Sequence, residues 1–254
     1  MSKNQRQKLM TKAHKLELKF QNYAVIGYLR RKIVRKYLRE LKGCVLEVGS
    51  GRGEDTAFVK NVRLIIGLDL DQKILQYYTR KTKACGICGD ATEIPFRDEK
   101  FDAVSCIDVL EHVPRDEKVI QEICRVLRPS GKFVFSVPLN QRLYGKSDEF
   151  LGHLRRYDVK KLHCLLKKKG FKIIEKQMWG TLLFPYQKIV RNRMNSEKLK
   201  NWQNRKFFRL YRQIYPIAKF MLNLDFIIPQ IKSIGVVFLL EKNGTGIHLE
   251  SSNY

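Results

Sequence analysis

Between residues 23 and 41 apolar side chains recur at helical spacing. Ile26, Leu29, Ile33, Tyr37 and Leu41 share one face, Val34 and Leu38 widen it, and Arg30, Arg31, Lys32, Arg35, Lys36 and Arg39 lie elsewhere. This predicts an amphipathic, basic helix that ends at Gly43. From residue 44 the period changes. Short apolar runs, CVLEVG (44 to 49), LIIGLDL (64 to 70), ACGICGD (84 to 90), FDAVSCIDV (101 to 109) and KFVFSVP (132 to 138), alternate with helical stretches at 71 to 80 and 115 to 127. Such alternation predicts a parallel sheet with helices on both faces. Asp158 caps a further helix that runs to about Lys169 and stops at Gly170, ahead of strands at 171 to 178 and 235 to 242. Roughly fifty-five residues rich in Arg, Lys and aromatics separate these two strands, and a connection of that length is expected to be structured.

The fold class expected is therefore α/β: a doubly wound sheet of seven strands, with an N-terminal helix and a helical insertion at about 181 to 234. Residues 1–42 read as a basic helical segment, 43–242 as one domain and 243–254 as a tail. A chain of 254 residues, 44% apolar and 11% aromatic, is long enough to bury such a core.

Charge changes the picture because of where it lies. The net charge is +25, and Lys plus Arg outnumber acids 13 to 2 over residues 1 to 42 and 11 to 2 over 186 to 232, but only 25 to 19 over 43 to 185. Basic flanks of this kind suit nucleic acid, acidic lipid headgroups or an anionic substrate, or else a solvated lysine-rich face. No apolar stretch reaches membrane-spanning length. YPIAKFMLNLDFIIPQI (215 to 231) suits lying on a membrane rather than crossing it, and RKFFRLYRQIYPIAKFMLNL (205 to 224) has the composition of an interfacial helix, a dimer contact or a lid.

Six cysteines without a cleavable leader suggest free thiols in a reducing, intracellular compartment. Cys85 and Cys88 form a C-x-x-C pair with no second pair at metal spacing, so they are expected to pack in a strand, and no metal site is predicted.

The candidate chemistry begins at VLEVGSGRGE (45 to 54). Gly49, Gly51 and Gly53 follow the first strand, where small residues let a ligand approach the backbone. Their G-x-G-x-G spacing differs from the dinucleotide G-x-G-x-x-G. Asp69 ends the second strand, placed to accept from ribose hydroxyls, although it or Asp71 would also serve as a helix-start acid. Asp90 follows the third strand and Asp108 the fourth, so three strand ends carry acids to one edge of the sheet.

Taken in order, VLEVGSGRG, GLDLD, GDATEIPF, FDAVSCIDVLEHV and RVLRPSGKFVFSVP (43 to 138) resemble the motifs of the class I S-adenosylmethionine-dependent methyltransferases, in particular the ubiquinone- and menaquinone-biosynthesis group. The resemblance implies a Rossmann-like sheet whose last strand is antiparallel, and S-adenosylmethionine as cofactor. It implies that Glu47, Gly49, Gly51 and Gly53 shape the methionine pocket. It further implies that Asp69 holds the ribose, Leu70 packs on the adenine, Asp90 and Ala91 flank that ring, and Asp108 faces the methionine end. Arg52 departs from the small or polar residue usual in the family's loop.

For the acceptor, His112 and His153 are the candidate bases. His112 is common in the resembling family without being a base there and reads as structural or pocket-lining. In GHLRRYD (152 to 158), Arg155, Arg156 and Tyr157 suit an anionic group of the substrate, or else the arginines are solvated and Tyr157 packs beside the Asp158 cap. The expected activity is methyl transfer to a small-molecule or lipid-like acceptor, at oxygen, by a cytoplasmic protein with peripheral membrane contact. RNA methylation through the basic flanks is the alternative, and homodimerisation is a further expectation. The N/D-P-P-Y/F/W tetrapeptide of many base-amino methyltransferases is missing, since the fourth strand ends in IDVL.

Overall fold

The computed structural model describes residues 25–185, 223–229 and 232–244. Seven strands, β1 (Gly43–Val48), β2 (Val62–Asp69), β3 (Cys85–Cys88), β4 (Phe101–Ile107), β5 (Leu127–Pro138), β6 (Phe171–Trp179) and β7 (Gly235–Lys242), form one sheet in the order β3-β2-β1-β4-β5-β7-β6. β1 runs parallel to β2 and β4, β2 to β3, and β4 to β5, while β7 runs antiparallel between β5 and β6. The strand order reverses between β1 and β4, and the carboxyl ends there open the crevice in which doubly wound sheets bind ligands.

Among the described residues five helices flank the sheet: α1 (Val25–Leu38), α2 (Gln72–Thr82), α3 (Asp116–Val126), α4 (Lys146–Leu151) and α5 (Val159–Lys168). Successive strand side chains point to opposite faces, and the core divides accordingly. Leu46, Phe133, Phe135 and Phe238 pack with Ile120 and Ile123 of α3 and Leu162 and Leu166 of α5. Their neighbours Val45, Val134, Val237 and Leu239 pack on the other face with Leu29, Ile33, Val34, Tyr37 and Leu38 of α1. The apolar stripe of α1 is thus an inner surface of the sheet domain, and two of its lysines reach outward: Lys32 Nζ donates to Asn223 Oδ1 (2.8 Å) and Lys36 pairs with Glu175.

Two local expectations need correction, and one helix was not expected. β5 starts at Leu127, directly after α3, because the chain turns through a register shift opposite Phe101 to Ala103 before KFVFSVP. The short helix α4 has no apolar period to announce it. Cys85 and Cys88 are exposed free thiols rather than packed ones. β3 is a four-residue edge strand paired only with β2, and of its residues Ile87 packs against the core.

Of the insertion expected at 181 to 234, residues 186 to 222, 230 and 231 lie outside the described residues, and with them nearly all of the segment 205 to 224 and its interfacial, dimer or lid role; residues 1 to 24 and the tail from 245 lie outside them too. Where the chain re-enters, a helical turn at Leu224–Phe226 buries Asp225, whose carboxylate accepts from the amides of Gly180 (2.6 Å) and Leu182 (2.9 Å) and so ties this end to the exit from β6. No helix among the described residues is long and apolar enough to cross a membrane.

Candidate active site

The loop after β1 explains its three glycines. Gly49, Gly51 and Gly53 have φ of +67°, +52° and +69°, a left-handed backbone that side chains disfavour. At Gly49 a Cβ would also lie 2.3 Å from Cγ2 of Val109, so the turn after β4 packs directly on the loop. Arg52 stacks its guanidinium on Tyr77, 3.9 Å from the ring centroid, which accounts for a long side chain in a loop that resembles ones built from smaller residues.

Asp69 stands at the tip of β2. Its Oδ2 accepts from the Gly51 amide (2.9 Å) and its Oδ1 from the Asp71 amide (3.0 Å), so the carboxylate is held in place by backbone from the glycine loop and from the start of α2. The helix-start role falls to Asp71, which caps α2 by accepting from Lys73 and Ile74. Asp90 is oriented by Thr92, whose amide and hydroxyl both donate to Oδ1 at 2.8 Å. Gly49, Asp69, Leu70, Asp90 and Ala91 line one cleft of about 460 Å³, mouth included, closed on its far side by Val109 and the His112 to Pro114 segment. Carboxylates beside apolar walls match a nucleoside, with hydroxyls and an exocyclic amine to donate and a ring to bury. On that ground the residues fit S-adenosylmethionine.

Glu47, Gly51, Gly53 and Asp108 stand behind this cleft rather than on its lining. Glu47 is buried beneath the loop, where its Oε2 accepts from Thr56 Oγ1 (2.6 Å) and Tyr78 Oη (2.9 Å). Tyr78 reaches it across Gly67, at which a Cβ would meet the ring at 2.6 Å. Burial pushes the Glu47 carboxyl up from 4.5 to about 7, with the two hydroxyl donors opposing and Asp55 adding to the rise. A carboxyl raised in the folded state favours the protonated protein. Stability therefore falls as pH rises from about 4.5 to about 7 and is level beyond, by roughly 3 kcal/mol. Glu47→Gln, which keeps an acceptor for both hydroxyls, is expected to flatten this slope in denaturant titrations at pH 5 and pH 8; an unchanged slope would place its origin elsewhere.

Asp108 adopts φ +53° at the end of β4. One oxygen accepts from the Ser136 hydroxyl and the other pairs with Arg30 of α1 at 2.7 Å. Arg30 is itself 8% exposed and also bears on Asp55, whose carboxyl is raised by burial and drawn back by this guanidinium. An N-terminal arginine thus enters the acidic ground behind the glycine loop, a contact that the helical period of α1 does not reveal.

The two candidate histidines come together. The turn Leu110–His112 carries His112 and the loop after α4 carries His153, and their rings meet edge to face at 4.8 Å. The residues proposed to hold an anionic substrate instead have internal partners. Arg156 is buried against Asp148, with Nη2 2.8 Å from Oδ1 and Nη1 3.1 Å from the Leu139 carbonyl. Arg155 pairs with Asp116 (2.8 Å), and Tyr157 donates to the same carboxylate (2.7 Å). Burial, then Asp116, drives the Tyr157 hydroxyl far above its ordinary range, so it remains a donor. Asp148 and Asp116, the acids that claim these groups, carry no pattern in the sequence that marks them as partners. Asp158 caps α5 as expected.

Part of the chain is similar to known methyltransferases. Residues 46–135 match the methyltransferase domain family. A fatty-acid O-methyltransferase of Mycolicibacterium smegmatis is 34% identical over 98 residues, 36% of each chain. A demethylmenaquinone methyltransferase of Lactobacillus johnsonii is 33% identical over 114 residues, 41% of this chain and 47% of that one. The matched region thus spans between a third and a half of these relatives' own lengths. An S-adenosylmethionine-dependent methyltransferase from Thermotoga maritima superposes with a TM-score of 0.60 over 92% of this chain and 99% of its own at 16% identity, a likeness of fold alone. The family match begins on β1 and ends on β5, about a third of the chain, and encloses every strand end that forms the cleft; this part of the chain is a methyltransferase domain similar to those of the class I S-adenosylmethionine-dependent methyltransferases.

Proposed function

We propose that the protein transfers the methyl group of S-adenosylmethionine to a small-molecule or lipid-like acceptor, at oxygen. The observation that carries the donor half is the Asp69 carboxylate, anchored by the Gly51 and Asp71 amides at the rim of the cleft. When bound, the sulfonium supplies an already electrophilic methyl carbon. The chain's task is then to align the acceptor behind that carbon and exclude water, which at good geometry is worth about 7 to 11 kcal/mol. Asp69 and Asp90 are assigned to the ribose and adenine, Leu70 and Ala91 to the ring faces, and Glu47 and Asp108 to shaping the methionine end. Arg155, Arg156 and Tyr157 are assigned to shaping the loop that carries His153 rather than to touching substrate.

The acceptor half draws on relatives whose names place methyl groups on a fatty acid and a menaquinone precursor. Incubating the purified protein with methyl-labelled S-adenosylmethionine and fractionated cell extract tests it. Label is expected in the organic-extractable or small-metabolite fraction. Label in RNA or protein would overturn the acceptor assignment while leaving the donor assignment intact.

A further inference from the structure

Beside the cleft, three side chains from two separate loops converge. Glu111 and His112 lie in the turn after β4, and His153 follows α4; one donor atom from each lies within 4.8 Å of the other two. The convergence is built into the backbone, because the Leu154 amide donates to the Glu111 carbonyl at 2.7 Å and the Tyr144 hydroxyl to the His153 carbonyl at 2.9 Å.

The hydrogen bonds also set the tautomers. His112 Nδ1 lies 3.1 Å from the Gly152 carbonyl, which only accepts, so Nδ1 carries the proton. His153 Nδ1 lies 3.0 Å from Oδ1 of Asp148, the acid that Arg156 also pairs with, so Nδ1 donates there too. In both neutral rings the lone pair is therefore on Nε2. Imidazoles that bind metals are oriented in this way, the far N–H donating to a carbonyl or carboxylate. Glu111, 1% exposed, adds a carboxylate oxygen to the two imidazoles.

We infer that Glu111, His112 and His153 form a binding site for a divalent transition-metal ion. Two imidazoles and one carboxylate suit zinc, cobalt or ferrous iron better than magnesium or calcium, which favour all-oxygen shells. Metal–donor distances of about 2.0 to 2.2 Å require donors within about 3.5 Å of each other, so the cluster closes by about an ångström of side-chain rotation on binding. Three protein ligands leave coordination positions for an exogenous oxygen, and His112 also lines the donor cleft.

A role follows that rests on the methyl-transfer reading. An acceptor hydroxyl bound to the cation is more acidic; its proton passes to solvent as the O–C bond forms and the C–S bond breaks, leaving the methyl ether and a neutral thioether. The imidazoles then serve as ligands and not as bases.

The test uses the full chain, stripped with chelator and titrated with Co²⁺. One Co²⁺ per chain is expected, with visible d–d absorption abolished by Zn²⁺. His153→Gln and Glu111→Gln are each expected to weaken Co²⁺ binding by at least about 10-fold while retaining the wild-type circular dichroism and S-adenosylhomocysteine affinity. Cys85→Ser/Cys88→Ser, which removes the exposed thiol pair, is expected to bind Co²⁺ as the wild type does. Absence of micromolar binding, binding that survives both ligand variants, or binding lost with the thiols would overturn the site. Co²⁺ binding without S-adenosylhomocysteine binding would uphold the site and overturn methyl transfer. Methyl transfer unchanged by chelation would overturn the Lewis-acid role alone.

Discussion

Asp69→Ala is expected to weaken S-adenosylhomocysteine binding by 100-fold or more in isothermal titration calorimetry. Two ribose hydroxyls donating to a carboxylate are charge-assisted contacts of about 1.5 to 3 kcal/mol each, and at the lower bound their joint loss already exceeds a factor of about 100. The same substitution releases the Gly51 amide, so the loop loses a tether as well. Asp71→Ala provides the contrast. It removes the α2 cap, a loss of about 1 kcal/mol in stability, while the ribose contacts persist. Equal losses of affinity in the two variants would show that Asp69 acts through the fold and would withdraw it from the nucleoside.

Asp148→Ala is expected to lower stability by about 3 to 5 kcal/mol, because it leaves the Arg156 guanidinium charged, buried and without its counter-ion. For a chain of this size that corresponds to a fall in melting temperature of roughly 6 to 20 °C, measurable by circular dichroism. Asp148→Leu/Arg156→Met, which removes both charges together, is expected to recover much of the loss. If Asp148→Ala costs no more than Asp158→Ala, which removes an exposed helix cap, the pair is not a determinant of stability.

How far the site could be read from the chain depended on whether a group's partners lie near it in sequence. β1, β2 and β4 are legible because each is a short apolar run ending in glycine or acid, and the sheet order brings those ends together. Asp69 could not be told from Asp71 by spacing alone. The Gly51 amide, eighteen residues away, separates them in space. Arg155, Arg156 and Tyr157 read as a ready anion site because their partners Asp116 and Asp148 belong to other helices. Arg30 looks like one more residue of a basic helix until Asp108, seventy-eight positions on, is placed against it. The two histidines looked like rivals for one role, and only the contact between the loops shows that they are neighbours.

The order of the last strands bears on how the chain is made. β5 pairs on one side with β4, but its other side waits for β7, whose residues leave the ribosome roughly a hundred positions later. At about 5 to 20 residues per second, β5 presents an unpaired apolar edge for something like 5 to 20 seconds. Until β7 arrives this edge is open to pairing with a strand of another chain.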